Sequence, residues 1–182
     1  PLQMYPSEES KIIKNLYTAG LINGTSGYEE AAGQGLIAGI NAGLRCQGKE
    51  PLILKRNESY IGVLLDDLTT KGTKEPYRLL TSRAEYRLIL RHDNADQRLR
   101  KYGYEVGTIN QEQMDRLNKK LNDINDLINE LKEVRVTSKN VTDTITNAIG
   151  ELNKGESLYE LLKRPEIKID YFVKKYYFNR TY

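Results

Sequence analysis

The chain has one cysteine, one histidine, no tryptophan, two phenylalanines and five prolines among its 182 residues. The lone Cys46 excludes an internal disulfide, and with His92 also alone no Cys/His set has metal-ligand spacing. A reducing cytoplasm is the expected compartment. No apolar run approaches the roughly 20 residues that span a bilayer, so no membrane span is expected. The N-terminus lacks the basic, apolar, small-residue order of a signal peptide, and the opening Pro1 reads as a processed or excised segment.

Hydrophobic residues at 38% and charged residues at 29% suit a globular chain of one domain or two small ones. The net charge is only +3, but residues 71–101 carry nine Lys/Arg against four Asp/Glu. Such asymmetry points one surface toward a polyanionic partner.

Half of the fourteen glycines fall in residues 18–43, a stretch whose only charges are Glu29 and Glu30. Before them, "KNLYTA" at residues 14–19 reads as one strand stopping at Gly20. After the turn, residues 28–46 read as a helix, with Ala32, Leu36, Ile40 and Leu44 four apart and Gly48 as its stop. Ala31, Gly35, Gly39 and Gly43 form a ridge without bulk. Each glycine costs about 0.5–1 kcal/mol against alanine in a helix, which close packing on a sheet or second helix would offset. A single strand and helix cannot build a sheet, so this strand–turn–helix unit is expected to end a larger α/β domain, with a boundary near residues 48–51.

Beyond that boundary the texture is helical. Residues 60–70 place Ile61, Leu64, Leu65 and Leu68 on one face, and "KGTKEP" is a loop. Ser82 and Glu85 fit a capping box for a helix through about Arg91, and Asp93 or Asn94 can cap the next. Met114, Leu117, Leu121, Ile124, Ile128 and Leu131, widened by Leu127, mark a long helix over residues 110–134 and read as ordinary core. Thr137 or Ser138 could cap a helix near residues 140–149, and "ESLYELLKRPE" reads as a helix ended by Pro165. The tail, residues 171–182, is aromatic and basic.

Two constellations could carry chemistry. Gly20, Gly24 and Gly27 lie between strand and helix, where free N–H groups at the helix start favour an anion or a polar cofactor edge. The spacing matches neither a dinucleotide fingerprint nor a phosphate loop, so a ligand-binding turn and a tight structural turn stay equally open. Glu29 and Glu30 read as acids favourable to the helix dipole rather than as catalysts. The second constellation is Arg83, Arg87 and Arg91, four apart on the expected helix, flanked by Lys71, Lys74 and Arg78 and by Arg98, Arg100 and Lys101. Guanidinium groups so spaced can track phosphates, with Tyr77 and Tyr86 to stack on bases. The competing reading is a solvated face whose arginines pair internally with Glu75, Glu85, Asp93 and Asp96. Asp66 and Asp67 are adjacent, make a poor metal pair, and read as surface or cap acids.

The strings "LYTAGLINGTSGYEEAAGQGLIAGINA" and "YIGVLLDDLTTKGTKEPYRLLTSRAEYRLILRHDNADQRL" closely resemble the glucose-inhibited division protein A family, flavoenzymes that modify the wobble uridine of certain tRNAs. The resemblance covers about residues 16–99, more loosely through "LLKRPE". It implies a mostly α chain, in which residues 1–50 end an α/β FAD-binding domain and residues 51–182 form an all-helical tRNA- and partner-binding domain, truncated before the family's extreme C-terminal bundle. It implies that Gly20, Leu21, Ile22, Asn23, Gly24, Thr25, Gly27 and Tyr28 contact FAD, and that Lys71, Lys74, Arg78, Arg83, Arg87 and Arg91 lie on the tRNA side. It further implies NADH as reductant, a tRNA-modification GTPase as partner, a homodimer for the intact enzyme, and a (carboxymethyl)aminomethyl group added at carbon 5 of uridine. No catalytic residue is assigned in this chain, which is expected to be inactive alone because the upstream dinucleotide motif and NADH-binding insertion lie outside it. The alternative is a helical docking module for the GTPase without tRNA contact. The family usually reads "AGQINGT" with its Gln touching the cofactor, and Leu21 stands there instead.

Overall fold

The structure, a computed structural model, describes residues 2–152 and 154–173. The aromatic tail falls largely outside the described residues. The chain is about half helical, and it divides within one long helix into two compact units, Pro1–Leu117 and Asn118–Tyr182.

In the first unit the expected strand over residues 14–19 is not formed. Glu9 and Tyr17 make one isolated antiparallel bridge, and Met4 and Ser10 make another. A strand exists only where a neighbour takes up its N–H and C=O groups, and here a single rung is supplied. Helix α1, Tyr28–Cys46, matches the expectation in extent. The face it buries differs from the expected apolar stripe. Gln34, Ile37, Ala38, Asn41 and Leu44 point inward, whereas Ala32 and Leu36 are exposed. Buried Asn41 earns its place by clamping the chain on either side of α1: its amide nitrogen donates to Ser7 O and Leu52 O, and its oxygen accepts from Leu52 N at 2.7 Å. The glycine ridge also faces outward. A Cβ added at Gly35, Gly39 or Gly43 would meet nothing within 4 Å.

Helix α2, Tyr60–Asp66, is capped by Ser59, whose hydroxyl accepts from Gly62 N at 2.8 Å, and it continues as a wider π turn over Asp67–Lys71. The expected helix over residues 82–91 is absent. A 3-10 turn at Thr81–Arg83 gives way to successive turns, in which Ala84 and Leu90 are buried while Leu88 and Ile89 are exposed. Two buried positions six apart do not make a helical stripe, and without one a segment of this length has no packing to hold it helical. Helix α3, Ala95–Glu105, follows, and Arg98 reaches from it to the carbonyls of Glu58 and Arg91.

Helix α4, Gln111–Glu133, is the long helix read from the sequence. Its apolar stripe is fully buried at Leu117 and Leu131, while Ile124 between them is exposed. The second unit is completed by strand β1 (Arg135–Val136), helix α5 (Asp143–Ile149), strand β2 (Glu156–Ser157), α6 (Leu158–Leu162) and α7 (Asp170–Val173). β1 and β2 form a two-residue antiparallel ladder, with Arg135 opposite Ser157 and Val136 opposite Glu156. Thr142, not Thr137 or Ser138, caps α5, accepting from Ile145 N. Leu131, Val136, Ile145, Leu158, Leu161, Ile167 and Phe172 form the core of this unit.

Candidate functional site

The glycine-rich turn is braced from within by one buried glutamine. Gln34 Oε1 accepts from Gly20 N at 3.1 Å and from Asn23 Nδ2 at 2.8 Å, and Gln34 Nε2 donates to Thr25 Oγ1 at 2.9 Å. Asn23 Nδ2 also donates to Thr18 O. Gly20 and Gly24 hold φ of 83° and 86°, backbone that residues with a Cβ rarely adopt, and between them Gly20–Asn23 makes a 3-10 turn. The polar side chains of Asn23 and Thr25 are therefore buried and spent on the turn itself. Outward the turn shows large apolar side chains, Leu21, Ile22 and Tyr28 at 77%, 74% and 94% exposed, with Ser26 and Glu29 exposed beside them.

Gly27 has a different reason. A Cβ there would lie 1.8 Å from Glu30 Oε2, so its bareness makes room for a carboxylate of the same chain. Glu30 stands in the first turn of α1, as expected of an acid favourable to the helix dipole, and it is buried. Its Oε1 accepts from Leu79 N at 2.7 Å, and Arg78 Nε lies 3.8 Å away. The Leu79 N–H, above all, holds this carboxyl below its ordinary range. The sequence carried a signal for this link, a glutamate three residues after the helix N-cap, but not its partner 49 residues on.

A second tie joins the same two segments. Tyr77 N donates to Gly24 O at 2.7 Å, Ser26 N donates to Tyr77 O, and Thr25 and Tyr77 form a parallel bridge. The Tyr77 ring is buried, and its hydroxyl donates to Asp67 Oδ2 at 2.8 Å. Asp67 is not the surface acid expected. It is buried and also accepts from Arg56 Nη1 at 2.7 Å and Lys71 Nζ at 2.6 Å. Burial alone would raise its pKa, but Lys71, Tyr77 and Arg56 together lower it. Burial, and then the same contact, push the Tyr77 phenol up. Asp66 reaches the same Arg56 nitrogen, so adjacent acids that project apart on a helix converge on one guanidinium. Arg56 also grips Glu85 with two nitrogens, at 2.7 and 2.9 Å, and holds that exposed carboxyl down at about 2.

Arg83, Arg87 and Arg91, expected four apart on one helix, lie instead on a 3-10 turn and the turns after it, flanked by Lys71, Lys74 and Arg78. Arg83 stacks over the Tyr77 ring at 4.3 Å and donates to Arg78 O. Arg91 pairs with Asp93 and donates to Leu88 O. Lys71 pairs with Asp67. Lys74 and Arg87 are exposed, with no carboxylate in ion-pair range among the described residues. Lys71, Lys74, Tyr77 and Arg83 share an open hollow of about 280 Å³. Among the described residues no group of His, Cys, Asp and Glu could hold a metal ion, and no helix is long and apolar enough to cross a membrane.

The chain is similar to known proteins. The family described as glucose inhibited division protein A matches residues 1–50, and the tRNA modifying enzyme MnmG/GidA C-terminal helical domain matches residues 111–180. The crystal structure of Aquifex aeolicus GidA in form II superposes with a TM-score of 0.85 at 46% identity, covering 97% of this chain and 27% of that one. The chain belongs to the glucose-inhibited division protein A family. Curated relatives named tRNA uridine 5-carboxymethylaminomethyl modification enzyme MnmG include that of Mycoplasmoides gallisepticum, 60% identical over 93% of this chain, and that of Acholeplasma laidlawii, 55% identical over 93%. The chain spans about a quarter of their length, 27% and 28% respectively. The cationic segment lies between the two stretches matched by the GidA family descriptions.

Proposed function

We propose that this chain is the part of an FAD-dependent tRNA-modifying enzyme that lays one turn against the flavin and a neighbouring cationic segment against tRNA. The observation that carries the reading is the double tie between those two segments, Tyr77 to Gly24 and Leu79 to Glu30. The turn suits a flat ring. Its outward face is apolar at Leu21, Ile22 and Tyr28, its backbone is rigidly braced through Gln34, and no side chain of Gly20 or Gly24 intervenes. Backbone N–H groups of Leu21 and Ile22 would meet the polar edge of the cofactor, since Gly20 N–H, Gly24 N–H and the Asn23 and Thr25 side chains are already engaged and Leu21 offers no side-chain hydrogen bond. When bound, FAD supplies electron transfer to or from the one-carbon unit destined for carbon 5 of the uridine. This chain's own residues would position that cofactor and receive the RNA.

The intact enzyme, in this reading, draws electrons from NADH, works with a tRNA-modification GTPase, forms a homodimer and acts in the cytoplasm, and the 182-residue chain alone is inactive. Lys74 and Arg87, exposed and without a carboxylate partner, are the cations best placed to meet phosphates, with Lys71, Arg78, Arg83 and Arg91 beside them. A second reading, docking of the GTPase, is favoured by Leu80 and Leu88, apolar side chains exposed beside those cations.

Titration of tRNA against the chain at two salt concentrations tests the first reading. Affinity should fall steeply with salt, and Lys74→Glu with Arg87→Glu should weaken binding and flatten that dependence. Loss of GTPase capture with tRNA affinity intact would favour docking instead. An absorbance scan of the purified chain should show no flavin spectrum.

A further inference from the structure

We infer that the second unit carries its own phosphate-backbone site for tRNA, an open hollow of about 560 Å³ built around Lys132, Arg135 and Lys154. The inference rests on the tRNA reading above, and extends it to a surface outside residues 71–91.

Three elements bring these cations together. Lys132 lies in the last turn of α4, Arg135 stands on the exposed side of β1 while its neighbour Val136 is fully buried, and Lys154 precedes β2. The two-residue ladder is what closes the loop between β1 and β2 and sets Arg135 against the turn at Gly155. There an Arg135 Nη2 donates to Gly155 O at 3.0 Å, which holds the guanidinium in place while leaving its other N–H groups available.

The acids in the hollow are already answered. Both oxygens of Glu156 take Arg164 Nη2, at 2.8 and 2.7 Å, and Glu160 takes Lys163 at 2.8 Å. Lys132, Arg135 and Lys154 have no carboxylate in ion-pair range among the described residues. The Tyr159 ring stands between the Lys132 and Lys163 ammonium groups, at 5.2 and 4.8 Å, and orders them without cancelling their charge.

A hollow that pairs off its own carboxylates and leaves three cations facing outward is complementary to a polyanion with regularly spaced charges. A phosphodiester backbone has that chemistry. An acidic protein surface would present carboxylates instead, and the test separates the two.

The test is a fluorescence-anisotropy titration of labelled bacterial tRNA against the 182-residue chain over a series of salt concentrations. The Lys132→Gln/Arg135→Gln/Lys154→Gln variant should bind at least about tenfold more weakly at about 0.1 M salt, with a log–log salt slope flatter by about 2. Removing the exposed, unrelated Lys139 and Lys168 as Lys139→Gln/Lys168→Gln should leave both values near wild type, and matching far-ultraviolet circular dichroism establishes that all variants fold. Wild-type affinity and slope in the triple variant would overturn the inference while leaving the Lys74 and Arg87 surface intact. Loss of binding to a polyglutamate peptide, with tRNA binding unchanged, would overturn it in favour of a protein-facing patch. Absence of tRNA binding by the wild-type chain would sink both readings.

Discussion

The Tyr77 hydroxyl donates to Asp67 Oδ2 at 2.8 Å in the interior of the first unit, while the same residue's backbone N–H holds Gly24 O at 2.7 Å. One tyrosine therefore connects the end of α2 to the glycine-rich turn, and Arg83 lies over its ring at 4.3 Å. Tyr77→Phe keeps the ring and the backbone bond and deletes only the donor to a buried carboxylate. Urea unfolding should show a loss of about 1–3 kcal/mol, the range for a hydrogen bond to a charged buried group. An unchanged midpoint would mean that Arg56 and Lys71 alone satisfy Asp67.

A buried acid elsewhere in this unit has no such partners. Glu8 is fully buried, sits at φ 65°, and neither carboxylate oxygen has a hydrogen-bond partner. Burial pushes its pKa up to about 8 from 4.5, against a smaller opposing pull from the Ala38 backbone. The unfolded chain then releases this proton at a lower pH than the folded one. Between about 4.5 and 8 the folded state binds more protons, so the stability present below 4.5 drains away as pH rises to about 8. Glu8→Leu removes the charge. Its stabilisation should be small at pH 5 and grow to a few kcal/mol at pH 8, read as the difference between urea melts at the two pH values. A benefit independent of pH would show that Glu8 is not the titrating group.

What was legible in the sequence was whatever depends on local pattern. α1 and α4 could be read because a long run with helical spacing and few breakers has one dominant local solution. The segment after Leu80 could not, because "SRAE" satisfies a capping box on paper while the residues behind it offer no stripe to bury. The inward face of α1 was hidden for a related reason. Gln34 and Asn41 are buried by hydrogen bonds to residues 9 to 34 positions away, and periodicity counts them as solvent-facing. The burial of Glu30 and Asp67 is hidden in the same way, since their partners Leu79 and Tyr77 arrive through tertiary structure. The glycines of the turn were visible as a cluster, but not their separate purposes: Gly20 and Gly24 for backbone conformation, Gly27 for the Glu30 carboxylate.

That last distinction can be measured. Gly27 has φ −103°, so Gly27→Ala carries no backbone penalty there, yet its Cβ would force the Glu30 carboxylate away and release Leu79 N. A loss of about 1–3 kcal/mol is expected, as for a buried polar group deprived of its partner. In a double-mutant cycle with Glu30→Ala the two losses should fall well short of adding, because each breaks the same contact with Leu79 N. Simple additivity would separate Gly27 from Glu30.

Two glycines in helices give opposite expectations. Gly62 lies in the first turn of α2, where an added Cβ would sit 2.2 Å from Lys55 O and 2.7 Å from Leu54 O, both backbone atoms that cannot turn aside. Gly62→Ala should destabilise by at least about 1–3 kcal/mol, the usual range for overpacking. Gly39 lies in the middle of α1 with open space where a Cβ would point. Gly39→Ala should stabilise the 182-residue chain by about 0.5–1 kcal/mol, because alanine loses less backbone freedom on entering a helix. Thermal melts of the two variants should move in opposite directions from wild type. If Gly39→Ala lowered the melting temperature, the ridge would be packed against another surface in solution, and that surface could be mapped by repeating the substitution at Gly35 and Gly43.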